Sequence, residues 1–248
     1  MLNLLSVFVI TLFASLFVEA ACPSSQYQVK GHFRSGYTRS DGSVVKATTV
    51  KTHCKQLSKG YQYLQSRFAE GVPIGWPHKT EKVRNWTEAE KQRLIEIIEE
   101  LPDSLLSRAF KNIYRLQKSK DFPNPATSAD GVIVVYDSSF DPARDLGRIL
   151  AHELSHQSFL ELSEEDQQDY RRATGWTVQF ERDQKLYWIP RKDGYVEDDG
   201  RISYGEDYAN NLEYFLYDPD KLKKVTPSAY KWFEKRFGKG FKLKREKK

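Results

Sequence analysis

The sequence predicts an α+β protein, with a small β-rich module ahead of a helical domain that carries a short sheet. Three observations lead there. Residues 21–83 are rich in Gly, Ser, Thr, Tyr and Lys, and their short β-prone runs are separated by turn residues. Several later stretches carry apolar residues at helical spacing behind capping residues. Between those stretches lies one β-branched run, Val132-Ile133-Val134-Val135-Tyr136. The chain has 248 residues, a net charge of +5 and 39% hydrophobic residues. That suits one catalytic-sized domain with a small extra module.

Residues 1–20 form a separate object. The apolar run Leu4 to Val18 ends in Val18-Glu19-Ala20, a small-x-Ala cleavage pattern, so a secretory signal peptide is expected and with it an exported or periplasmic protein. The competing reading is an uncleaved anchor, for which the run is short. Glu19 occupies the place where a lipoprotein signal has Leu, which argues against lipidation at Cys22. The chain's two cysteines, Cys22 and Cys54, could then close one disulfide in an oxidising compartment. Within 21–83, Tyr27-Gln28-Val29 and Ser43-Val44-Val45 flank Arg39-Ser40-Asp41-Gly42, and Asp-Gly between β-prone runs predicts a hairpin. His32 and His53 read as ordinary polar positions, and Gly71 to His78 as an irregular linker.

The domain 84–238 opens with Thr87-x-x-Glu90, a capping box ahead of Leu94, Ile97, Ile98 and Leu101. After Pro102-Asp103, the residues Leu106, Ala109, Phe110, Ile113 and Tyr114 keep helical spacing and predict a second amphipathic helix. The run 131–136 reads as a strand, with two compatible readings: a plain core strand, or an edge strand that could pair with an extended peptide. Asp141-Pro142 is expected to cap the helix that follows. Ser163-Glu164-Glu165-Asp166 starts another helix, 176–189 reads as strand-like, and 193–200 as an acidic turn region.

The residues that carry chemistry are His152-Glu153-x-x-His156. On a helix, positions i and i+4 share one face, so both imidazoles can reach one metal ion. Glu153 points about 100° away around the helix and can serve a water instead. Two neutral His nitrogens, a carboxylate and an open position make the catalytic pattern for Zn²⁺. With five His in the whole chain, chance seldom produces this spacing, and Leu146, Leu150 and Leu154 supply an apolar back to the helix. The alternative is a surface helix with two idle His. The third ligand should be a downstream carboxylate. Glu206 opens a helix running to about Tyr217, but Ser203-x-x-Glu206 is also a capping box, and Asp207 and Glu213 are rivals.

The segment from about Trp86 to Phe237 resembles the catalytic domains of the anthrax lethal factor type, within the gluzincin zinc metallopeptidases. The matching pieces are Leu101-Pro102, Ile113-Tyr114-Arg115, the His152–His156 motif and Glu206-Asp207-Tyr208-Ala209. The resemblance implies a zincin-like fold, His152, His156 and Glu206 as zinc ligands, and Glu153 as general base. It also implies a carboxylate four residues after the third ligand to orient a ligand His. Here that position is Asn210, whose amide oxygen could accept a ring N–H. The family Tyr seven residues before that Glu is replaced by Asp199, leaving Tyr204 or Tyr195 to steady an oxyanion.

The expected function is therefore a secreted zinc endopeptidase acting on protein or peptide. Two alternatives stand beside it: an inactive zinc-binding adhesion protein, and a zinc amidase acting on cell-wall peptides. Thr226-Pro227 reads as the start of a last helix that stops at Gly238. The tail 239–248 holds five Lys, one Arg and one Glu. It is expected to be a solvated tail or a tether to an anionic surface, with no nucleic-acid motif around it.

Overall fold

A computed structural model of the chain describes residues 22–23, 26–29, 32–34, 37–38, 44–46, 48–77, 81–119, 124–182 and 185–238. The expected signal segment, the Asp41-Gly42 turn and the basic tail lie outside the described residues. The chain divides into two compact units, 1–57 and 58–248. No helix among the described residues is long and apolar enough to cross a membrane.

The described elements of the first unit are all β-strands. Strands β1 (Gln26–Val29), β2 (His32–Arg34), β3 (Tyr37–Thr38), β4 (Val44–Val45), β5 (Thr48–Val50) and β6 (His53–Gln56) pair antiparallel as β1 with β6, β2 with β5 and β3 with β4. The residue numbers of each pair add to the same value from Gln26↔Gln56 to Thr38↔Val44, so one register runs through all three pairs. That is the signature of a single long hairpin, as Asp41-Gly42 between β-prone runs predicts. Cys22 and Cys54 form the disulfide, with Cα atoms 5.6 Å apart.

The second unit is mixed α+β, and it begins earlier than expected. Residues 58–83, assigned from composition to the N-terminal module, belong here. Helix α1 (Lys59–Leu64) buries Leu64 in the main core, and β7 (Phe68–Ala69) joins the sheet. Helix α2 (Glu88–Glu100) has the complete Thr87/Glu90 capping box and buries Leu94, Ile95 and Ile98. The helix expected at 106–114 does not form. A 3₁₀ turn at Asp103–Leu105 leads instead to β8 (Asn112–Leu116), which lies parallel to its neighbours on both sides. The spacing of Leu106, Phe110 and Ile113 fits a helical stripe, but two flanking strands claim the backbone hydrogen bonds of 112–116, and tertiary pairing overrides so short a periodic signal.

Strands β9 (Ala126–Ala129) and β10 (Val132–Tyr136) complete a sheet of order β7-β8-β10-β9, in which only β9 is antiparallel. The β-branched run is thus an interior strand, and the edge is β9. Side chains alternate across the sheet. Ile113, Ile133 and Val135 join the main core beneath the helices, whereas Leu116, Val134 and Tyr136 form a small second core with Trp76 on the opposite face.

Helix α3 (Leu146–Leu160) is the motif helix. Its cap is Asp145, whose carboxylate accepts the Arg148 N–H, and not Asp141, which closes the preceding turn through Ala143. Leu146, Leu150 and Leu154 are all at most 2% exposed, as an apolar back requires. There follow α4 (Glu164–Ala173), the hairpin of β11 (Thr177–Arg182) and β12 (Lys185–Ile189), α5 (Tyr204–Tyr217), α6 (Pro219–Val225) and α7 (Pro227–Phe237). Thr226 occupies the N-cap position of α7, although its hydroxyl donates to the Gly194 carbonyl. Gly238, at φ 86°, stops the helix in a conformation that favours glycine.

Candidate metal centre

Helices α3 and α5 pack antiparallel, with Arg148 opposite Glu213 and His156 opposite Glu206. On α3, Arg148, His152 and His156 fall at i, i+4 and i+8, on one face. On α5, Glu206 and Glu213 are seven residues apart and also share a face. The packing of α3 on α5 brings the two rows together.

Nε2 of His152 and Nε2 of His156 lie 3.2 Å apart, and Glu206 Oε2 lies 3.4 Å from each. Among the described residues this is the one group of three His, Cys, Asp or Glu side chains arranged to hold a metal ion. Two imidazole nitrogens and a carboxylate oxygen, from two helices, are a donor set suited to a divalent cation. Ser203 caps α5 by accepting the Glu206 N–H at 3.1 Å, while the Glu206 carboxylate turns to the imidazoles. The capping pattern and the ligand position are therefore compatible in one residue.

The closeness of the three groups shifts their charge states. Burial opposes a charged His152, but hydrogen bonds to Glu206 and Glu213 outweigh it and push the pKa up to about 10. Burial likewise raises Glu206, but its bonds to His152 and His156 dominate and hold the carboxyl well below the usual range. Glu153 is 7% exposed. Burial pushes its carboxyl up, the two imidazoles pull it down, and Glu206 and Glu213 push it further up.

The expected site residues fare differently. Asn210 donates to Asp199 at 2.6 Å. The carboxylate against His152 Nδ1 is that of Glu213, at 3.4 Å, and Glu213 is held in turn by Arg148 Nε at 2.5 Å. The orienting role assigned by position to Asn210 therefore falls to Glu213, one turn further along α5. The other rival ligand, Asp207, is engaged elsewhere. It is 1% exposed and takes two bonds from Arg191, at 2.6 and 2.7 Å, with further bonds from the Trp176 indole and Asn211. Tyr204 lines the groove, with its ring under the Arg171 guanidinium at 4.2 Å. The Tyr195 hydroxyl donates to the Arg191 carbonyl.

Gln157 was not singled out by the sequence. It is fully buried beside His156; its Oε1 accepts the Gly131 N–H at 2.9 Å and its amide donates to Ser128 and to the Ala129 carbonyl. It ties the β9–β10 turn to the metal helix. Gly131, at φ 71°, makes that turn possible. The resulting groove, about 800 Å³, runs between β9 and α5 over His152, Glu153 and His156.

No family model, curated protein or solved structure matches the chain.

Proposed function

We propose that the second unit is a zinc-dependent endopeptidase with a zincin-like fold of the gluzincin type, exported from the cell. The observation that carries this reading is the meeting of His152 Nε2, His156 Nε2 and Glu206 Oε2 within 3.4 Å, with the buried Glu153 next to His152 on the same helix. The donor set fits zinc, with three protein ligands and room in the groove for a fourth. Zinc held there would polarise a carbonyl and make a neighbouring water acidic.

The chain's own residues then have distinct tasks. Glu153 accepts a proton from the water that attacks the scissile carbonyl carbon, and returns it to the leaving nitrogen as the C–N bond breaks. Its burial favours a carboxyl that exchanges protons readily with a bound water. Glu213 accepts from Nδ1 of His152 and so leaves Nε2 with a free lone pair for a metal. Tyr204, on the groove wall one half-turn before Glu206, is the candidate donor to the developing oxyanion. β9 is an edge strand of the described sheet and runs along the groove, which suits pairing with an extended peptide. The disulfide supports an oxidising compartment.

The test is zinc content together with hydrolysis of a broad peptide library, with and without a chelator. The proposal expects close to one zinc per chain and chelator-sensitive cleavage of internal peptide bonds. A chain that takes up no zinc, or cleaves equally well after chelation, is not this enzyme.

A further inference from the structure

On the sheet face away from α3 lies a second cavity of about 400 Å³, lined in part by Pro73, Ile74, Trp76, Val132 and Tyr136. It shares Asn124, Thr127, Ala129 and Asp130 with the metal groove. Two hollows therefore flank one edge strand. The register explains why. Ser128 and Ala126 lie opposite Ile133 and Val135, whose side chains enter the main core under α3. Thr127 and Ala129 lie opposite Val134 and Val132, whose side chains enter the small core with Trp76.

A strand added to the free edge of β9 inherits the same alternation. Every second side chain faces the metal helix, and the ones between face the second cavity. The polar ends of that cavity's rings are already engaged: the Trp76 indole donates to Glu81 at 2.9 Å, and the Tyr136 hydroxyl lies 3.3 Å from the same carboxylate. Both rings thus offer carbon to the cavity. Ile74 stands fully exposed at its rim, with a residue accessibility of 104%, beside Gly75 at φ 77°. An apolar side chain that costs burial nothing and covers nothing within the described unit is available to cover a ligand.

We propose that this cavity is a substrate subsite that takes one apolar side chain of an extended peptide paired along β9. The residue it accepts alternates with those facing the metal helix. The inference rests on the peptidase reading for its substrate class, but it makes a separate demand on the chain.

The probe is a set of fluorescein-labelled peptides with Leu, Phe or Ala placed at each position in turn, used with the full chain. The wild type should prefer Leu or Phe to Ala at a position of the alternating set. Ile74→Asp, a fully exposed substitution that leaves the core intact, should reduce that preference in kcat/KM roughly tenfold. Val178→Asp, on an exposed site of the β11–β12 hairpin, should leave it as in the wild type. An Ile74→Asp profile identical to the wild type overturns the subsite while the peptidase reading stands. Binding of the same peptides to Glu153→Gln, read by anisotropy, covers a chain that cleaves none of them. Leu-dependent binding lost in Glu153→Gln/Ile74→Asp then keeps the subsite and removes the peptidase. Binding indifferent to Ile74 removes the subsite.

Discussion

Glu213 and His152 are in contact across the α3–α5 interface: one carboxylate oxygen lies 3.4 Å from Nδ1, while the other is bonded to Arg148. One helix thus holds the same imidazole at both nitrogens, through Glu206 at Nε2 and Glu213 at Nδ1. Glu213→Gln should keep the fold and weaken zinc binding by roughly 10- to 100-fold, the usual effect of removing an outer partner of a ligand His. Competition with a chromophoric chelator measures it. Asn210→Ala, whose amide bonds Asp199 instead, should change zinc affinity far less. The reverse ranking would return the orienting role to Asn210.

The division of labour along α3 makes a second prediction. Glu153→Gln should retain zinc and lose roughly 10²- to 10⁴-fold in turnover, the range for loss of a general base. His152→Ala should lose both metal and turnover. Paired zinc analysis and peptide hydrolysis separate the two. A fully active Glu153→Gln chain excludes the proposed mechanism.

Zinc and protons should compete for the site. Without metal, His152 has its pKa pushed from 6.5 to about 10 by its carboxylate partners, so it carries a proton at neutral pH. A folded-state pKa above the unfolded value stabilises the metal-free fold fully below about 6.5, and that contribution is lost as pH rises through about 10. Zinc affinity should change in the opposite sense, rising with pH across this window as the proton is displaced. Calorimetric titration at pH 7 in two buffers of different ionisation enthalpy should show net proton release on binding. An identical heat in both buffers would mean that His152 enters the reaction already neutral.

Asp207 is predicted to be structural. Its carboxylate is buried with two bonds to Arg191. Asp207→Ala strands the Arg191 charge and should destabilise the second unit by about 3–5 kcal/mol, the range for breaking a buried pair from one side. Denaturant unfolding measures this, and a loss below about 1 kcal/mol would show that the pair is held only weakly.

Gln157→Leu should leave zinc affinity nearly unchanged while raising KM. The substitution removes the partners of the Gly131 N–H and the Ala129 carbonyl and frees the edge strand from the metal helix. Unmade buried bonds of this kind cost about 1–3 kcal/mol each. A steady-state comparison with an unchanged KM would show that β9 keeps its place without the clamp.

Much of the second unit could be read locally. The Thr87/Glu90 capping box, the apolar back of α3, the opening of α5 at Ser203 and the stop at Gly238 are all local features, set by neighbouring residues within a few positions. The paired His follow from helical spacing, whereas spacing alone left Glu206 open against Asp207 and Glu213, and only the resemblance favoured it. What escaped depends on contacts between distant segments. Strand β8 is decided by partners on both sides, and β9, too short and too weakly apolar to announce itself, becomes the edge only because β10 lies inside. Glu213 carried a usable signal, since i and i+7 share a helical face with Glu206. Asp207 and Arg191, sixteen residues apart, carried none.

The Cys22–Cys54 bond sits at the open end of the hairpin, opposite Thr38 and Val44. Residues 22–54 thereby form a closed covalent ring. A single cut between residues 38 and 44 opens the ring without releasing either arm, and the fragments part on a gel only once a reductant is added. The arm that presents Gln26–Thr38 thus stays tethered after nicking, a form of durability that would serve the export proposed above.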